Sequence, residues 1–280
     1  MSQAAPTILV CLAATPRAAA VVAIARLWAD LWEAELSFLH VTENIANSRD
    51  RMARYIPSDV LSQEEIHFKT GRPDWVICNE ARRLGASLVM LGALEQEGLV
   101  TSILGSVARR VARRAPCSVL LLTKPSEFKL KHLVTSVAFN KTSTQMLQSV
   151  LKIAKRHELQ SLHVIHEYDS YSRLLRIIGK RDMGEDDYRD QIAHEEMFQL
   201  SELLASLDTE GLPLTAKCLD GHIGQEAVDY AHDHNADLLV IPAPDRLGFW
   251  DRFFKHPTET ILEHLPCSLM LYRETKEQAS

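Results

Sequence analysis

The chain has 280 residues, 46% hydrophobic and 24% charged, with a formal net charge of −6. That length suits two domains with independent cores, and the negative balance argues against a nucleic-acid surface, which needs concentrated positive charge. No apolar run approaches the roughly 18 residues of a membrane span, and the opening MSQAAPTILV lacks the basic-then-apolar pattern of a signal peptide.

In chain order, TILVCLA (7–13) is a short apolar run ending at Thr15-Pro16, which reads as a buried strand followed by a helix start. Residues 17–34 carry Val21, Val22, Ile24, Ala25, Leu27, Trp28, Leu31 and Trp32 at helical spacing. A strand LSFLHV (36–41) follows, then room for one short helix around 47–62, a strand IHFKT (66–70), and a helix from Pro73 to Leu84. The strand SLVML (87–91), a helix from about 104 to 114 and the strand CSVLLL (117–122) complete the first half. The polar segment TKPSEFKLK (123–131) is the expected linker.

The second half takes the same course. HLVTSVA (132–138) precedes a helix over 143–157, then come LQSLHV (159–164) and TAKCL (215–219). A helix at 223–234, the strand DLLVI (237–241), a helix at 257–264 and the strand CSLMLY (267–272) close the chain. Between the second and third strands lies a long helical insert, about 168–210, with patterns at 171–180 and 186–208. The corresponding 42–70 of the first half is much shorter, so one face of that sheet is expected to be poorly covered by its own chain.

The two halves repeat at a fixed offset of 150. Gly71, Ala81, Ala86, Leu88, Ala93, Gly98, Pro116, Cys117, Ser118 and Leu121 recur as Gly221, Ala231, Ala236, Leu238, Ala243, Gly248, Pro266, Cys267, Ser268 and Leu271. So long a period means two whole domains and not a solenoid, here 1–124 and 131–280. Uniformly apolar strands alternating with helices indicate parallel sheets covered on both faces, about five strands in each domain.

Five cysteines, Cys11, Cys78, Cys117, Cys218 and Cys267, have no metal spacing, and their odd number points to a reducing cytoplasm. His232 and His234 lie two apart and face different ways on a helix, so no metal site is expected. Arg109, Arg110, Arg113 and Arg114 read as a solvated helical face, with a phosphate or acidic-partner patch as the alternative. No Walker loop, nucleophile elbow or Cys-x-x-Cys is present, so an enzyme is not expected.

The strand starts ILV (8–10), the LHV at 39–41 and 162–164, the block VMLG (89–92), and LGSVARRVARRAPCSVLLL (104–122) with its echo HLPCSLMLY together resemble the universal stress proteins in their tandem form. The resemblance implies two adenine-nucleotide α-hydrolase-like domains, doubly wound and five-stranded, paired through their last strands as an internal pseudo-dimer. It also implies His40 and His163 as the second-strand histidines. For a nucleotide it implies a first-domain site at Leu12, Ala13, Val41, Gly92, Gly105, Ser106 and Val107, with phosphate over the loop glycines and the helix opened by Gly105-Ser106.

Two departures weaken that site, and the second domain departs further. Ala13 stands where the family has an acid, forfeiting about 1–3 kcal/mol of pairing if the nucleoside is buried. Glu95 replaces the second loop glycine, and a like-charge pair at about 4 Å costs on the order of 4 kcal/mol at an effective dielectric near 20. In the second domain Pro242, Asp245, Lys255 and His256 replace the pattern, and Ala138 replaces the acid, so ATP is not expected there. The expectation is a non-enzymatic cytoplasmic stress-response protein with degenerate nucleotide sites, acting through a protein partner, a second copy or an apolar small ligand. The alternative is a regulator that binds ATP weakly in the first domain alone.

Overall fold

The computed structural model describes residues 5–92, 104–175, 185–243 and 257–274. By compactness the chain divides into residues 1–129 with 267–280, and residues 130–266.

In the first unit, TILVC forms β1 (Thr7–Cys11), with Ile8, Leu9 and Val10 fully buried. Helix α1 (Ala18–Trp32) turns Val21, Val22, Ala25, Trp28 and Leu31 inward. Then follow β2 (Glu35–Val41), α2 (Ile45–Tyr55), β3 (Ile66–Lys69), α3 (Pro73–Leu84), β4 (Leu88–Gly92), α4 (Ser106–Arg114) and β5 (Ser118–Leu122). The five strands are parallel in the order β3-β2-β1-β4-β5. The order reverses direction between β1 and β4, so right-handed crossovers put α1 and α2 on one face and α3 and α4 on the other.

The expected bare face is not found. Helix α2 buries little beyond Ser48 and Met52, but the chain after it adds Ile56 and Leu61, both almost fully buried. Arg26 of α1 also donates to the Val60 carbonyl. Helix periodicity misses this cover because its apolar side chains fall in an irregular stretch. On the other face, Asp74 at the start of α3 is fully buried and ion-paired with Arg72, Arg110 and Arg114. Two members of the sequence's basic run therefore tie α4 to α3 instead of forming a free patch.

The second unit contains β6 (His132–Ser136), α5 (Lys141–Arg156), β7 (Ser161–Tyr168), α6 (Ser170–Leu175), α7 (Glu185–Ala205), β8 (Leu214–Asp220), α8 (Gln225–Asp233), β9 (Leu238–Pro242) and α9 (Pro257–Glu263). Its strands are parallel in the order β9-β6-β7-β8. The side chain of Asn140 caps α5 by accepting from the Ser143 backbone N–H at 2.9 Å. The described part of the 171–180 pattern is α6, which is anchored within this unit: Ser170 donates its backbone N–H to Asp220, and Arg173 pairs with Glu196 of α7. Residues 176–180 lie outside the described residues.

The repeated residues have local causes. Gly71 follows β3 at φ 124°, and a Cβ there would also meet Val76 at 3.3 Å. After α3 the chain turns through Gly85 at φ 60°, and after α8 through Asn235 at φ 49°, the two residue types that accept this conformation most readily.

The last strand, β10 (Ser268–Tyr272), lies with the first unit, antiparallel to β5, with Met270 opposite Leu120. All five residues of each strand are buried. The repeated serines serve each other's strand: Ser118 Oγ donates to the Arg273 carbonyl at 3.2 Å, and Ser268 Oγ accepts from the Thr123 N–H at 3.4 Å.

Two outcomes follow. A fragment of residues 1–125 leaves the apolar edge of β5 unpaired and is expected to self-associate in size-exclusion chromatography; a stable monomer would show that β10 is dispensable. The hydrogen bond from Arg72 holds the Asp74 carboxyl below its ordinary range, so its stabilisation exists above the unfolded carboxylate value and disappears as pH falls through the folded one. Asp74→Asn should lower stability by about 1–3 kcal/mol at neutral pH, a difference that thermal melts should show shrinking below about pH 4.

Candidate functional site

In an open parallel sheet, ligands bind beyond the carboxyl ends of the strands, where the strand order reverses. In the first unit a cavity of about 610 Å³ opens at that place. The ends of β1 and β2 provide Leu12, Ala13, His40 and Val41, β4 provides Leu91 and Gly92, and α4 provides Gly105 and Val107. The start of α1 closes another side with Thr15, Pro16, Arg17, Ala18 and Val21. His40 fixes the floor, its Nδ1–H donating to the Leu12 carbonyl at 2.7 Å.

The candidate positions thus come together at one cavity, with one exception. Leu12, Ala13, Val41, Gly92, Gly105 and Val107 line it, whereas Ser106 is exposed and does not, its hydroxyl lying 3.4 Å from Arg110 Nη2. A Cβ added at Gly92 would meet none of the described residues within 4 Å, so their packing does not demand a glycine there. Glu95, Asp245, Lys255 and His256 lie outside the described residues. Among the described residues lining the cavity there is no acid. Cys11 lies on its floor, and burial pushes its thiol strongly up, away from the reactive thiolate.

The second unit has a cavity of about 730 Å³ at the matching place, with different chemistry. Its lining includes Ser136, His166, Glu167, Asp169, Arg173 and Pro242. Glu167 accepts from Ser136 Oγ at 2.8 Å and from the backbone N–H groups of Gly224 and Ala227 at 2.7 and 2.9 Å, so it caps the start of α8. Burial nevertheless pushes its carboxyl above the ordinary range.

Strand register corrects one assignment. In the first unit Cys11 pairs with Leu39, and in the second Ser136 pairs with Ile165. The partner of His40 is therefore His166, whose Nδ1–H donates to the Val137 carbonyl at 2.8 Å, and the partner of Val41 is Glu167. The shared LHV misleads because it sits three residues earlier along β7 than along β2. His163 instead meets the Tyr230 hydroxyl at 2.9 Å. The acidic, basic and histidine side chains of this second cavity were missed for that reason; the string HVIHEY (163–168), with two histidines, was the available signal. Among the described residues no group of three His, Cys, Asp or Glu is placed to hold a metal ion, and no helix is long and apolar enough to cross a membrane.

Comparison with known proteins agrees with this geometry. The universal stress protein family model matches twice, over residues 5–123 and 129–273. The chain is 33% identical over 67 residues to the universal stress protein E homolog of Haemophilus influenzae, covering 24% of this chain and 21% of that protein. It is 35% identical over 60 residues to the universal stress protein YxiE of Bacillus subtilis, covering 21% of this chain and 40% of that one. The chain thus matches less than half the length of either relative. In fold it resembles a functionally unknown Pseudomonas aeruginosa protein, with TM-score 0.66 and 18% identity over 99% of this chain and 95% of the other. A universal stress protein of Archaeoglobus fulgidus gives TM-score 0.63 and 15% identity over 97% and 99%. With both halves matched by one family model, the chain belongs to the universal stress protein family and carries its domain twice in tandem.

Proposed function

We propose that this is a non-enzymatic stress-response protein whose first repeat, residues 1–124, binds a small, largely apolar ligand, and that occupancy changes its affinity for a protein partner or a second copy. One observation carries the reading: the cavity at the switch point is walled by Leu12, Ala13, Val21, Val41, Leu91 and Leu122, with no acid among its described lining residues. A ribose or an amine placed there loses its acceptor at Ala13, whereas an apolar group gains about 25 cal/mol for each Å² it buries. Among the described residues of this cavity, Cys11 is held as a thiol and His40 is committed to the Leu12 carbonyl, which supports a binding role. The five free thiols support a reducing, cytoplasmic setting.

The alternative, weak ATP binding in the first repeat only, is favoured by Gly92, whose bare backbone suits a close phosphate, and by Gly105 at the start of α4. Calorimetry with ATP and with an apolar probe such as anilinonaphthalene sulfonate separates the two. The wild type is expected to bind the probe and to bind ATP weakly or not at all, and Ala13→Asp should weaken the probe. If a nucleotide still reaches the cavity, the restored acid should tighten ATP by about 1–3 kcal/mol, roughly fivefold to 150-fold. Tight ATP binding by the wild type, abolished by Gly92→Pro, would favour the alternative and overturn the apolar-ligand reading.

A further inference from the structure

His166 has an acceptor at each ring nitrogen. Nδ1 lies 2.8 Å from the Val137 carbonyl, which only accepts, so Nδ1 carries a hydrogen. Nε2 lies 3.0 Å from Oε2 of Glu196 on α7. A neutral imidazole protonated at Nδ1 presents a lone pair at Nε2, so its contact with a carboxylate is a hydrogen bond only while one further proton sits between them. Both side chains are nearly removed from water, at 9% and 2% exposure, so an unbridged contact would have no solvent to relieve it. Phe139 covers the ring with centroids 4.1 Å apart, and an aromatic face favours a cation. Arg173 of α6 pairs with the other oxygen of Glu196, so one carboxylate holds both inserted helices.

The first unit shows what is added. His40 makes the same Nδ1 bond, to Leu12, but its ring meets Phe68 edge-on, and residues 42–65 supply no counterpart of α7. The other titratable groups around His166 have their own partners. On β7, Glu167 is held by Ser136 and the start of α8; Asp220 of β8 is held by Ser170, and Asp169 by Ser172. Tyr168 and Cys218 complete the surroundings, and burial, with the Glu196 charge, pushes the Cys218 thiol up to about 11. Among the described residues, Arg173 and Glu196 are the charges left to act on the ring.

We propose that His166, Glu196 and Arg173 form a one-proton latch that fixes α6 and α7 against β7, so that the Ser172–Arg173 wall of the second cavity closes when the proton is held and loosens when it is lost. The proton-holding form is the low-pH form, so the latch is closed in acid and opens as pH rises. This regulation belongs to the second unit and stands apart from ligand binding in the first.

The test is hydrogen exchange of the full chain, followed in peptides covering 190–200 and corrected for the intrinsic pH dependence of exchange. In the wild type, followed from about pH 5 to 9, protection of α7 should fall as pH rises, by at most about tenfold per pH unit while the closed form holds the proton and the opened form has lost it. In Glu196→Gln the carboxamide N–H donates to the neutral Nε2 and its oxygen still accepts from Arg173, so protection should persist and become independent of pH. His166→Phe keeps the packing without the hydrogen bonds and should leave α7 weakly protected throughout. Protection in the wild type that stays flat across the range overturns the latch. So does a Glu196→Gln protein with the wild-type pH dependence. The wild-type profile decides the matter even if a variant fails to fold.

Discussion

An apolar strand edge cannot be left open to water, and this constraint shapes the first unit. All five residues of β5 are buried, and the strand stands last in its parallel run. Unpaired, it would present a row of bare N–H and C=O groups flanked by leucines, a template for aggregation. β10 supplies the missing partner in antiparallel register. Two strands that pair about a shared centre, Leu120 opposite Met270, must keep compatible ends. That accounts for Pro-Cys-Ser standing at 116–118 and again at 266–268, with each serine engaged at the end of the opposite strand.

The carboxyl edges of the strands carry no such mutual constraint, and there the repeats have parted. At matching positions the first unit has Cys11, His40, Val41 and Gly92, while the second has Ser136, His166, Glu167 and Pro242. One cavity is walled mostly by aliphatic side chains, with Arg17 and His40 as its described ionisable members apart from the Cys11 thiol. The other is walled partly by ionisable groups that hold one another and the starts of helices. A buried carboxylate is tolerable only with several donors, and Glu167 has three. The insert contributes the rest of the difference, since α6 and α7 bring Arg173 and Glu196 to a histidine whose counterpart in the first unit makes the same bond to a β1-end carbonyl and meets a phenylalanine ring edge-on.

Much of this was legible in the sequence, because its causes are local or periodic. Uniformly apolar runs such as TILVC and LVML can only be strands covered on both faces, and helical spacing marked α1, α3 and α5. The offset of 150 placed β4 against β9 and β5 against β10 without error. Positions for the first cavity were also legible, since six of the seven candidate residues lie at strand ends or beside a helix start. The cover supplied by Ile56 and Leu61 was not, for those side chains lie at and beyond the end of α2, where the helical spacing stops.

The sequence by itself thus determined the family, the strand–helix alternation and the site of the first cavity, all of which rest on patterns carried by neighbouring residues. Only the tertiary structure decided that His166 and not His163 answers His40, because strand register depends on pairing with β6 and a motif shifted by three residues lands on the opposite face. It also decided that Asp74 at the start of α3 gathers two arginines of α4 and that Glu196 reaches across to His166. Those interactions join residues 30 to 40 positions apart, brought within hydrogen-bonding distance by packing that no local pattern encodes.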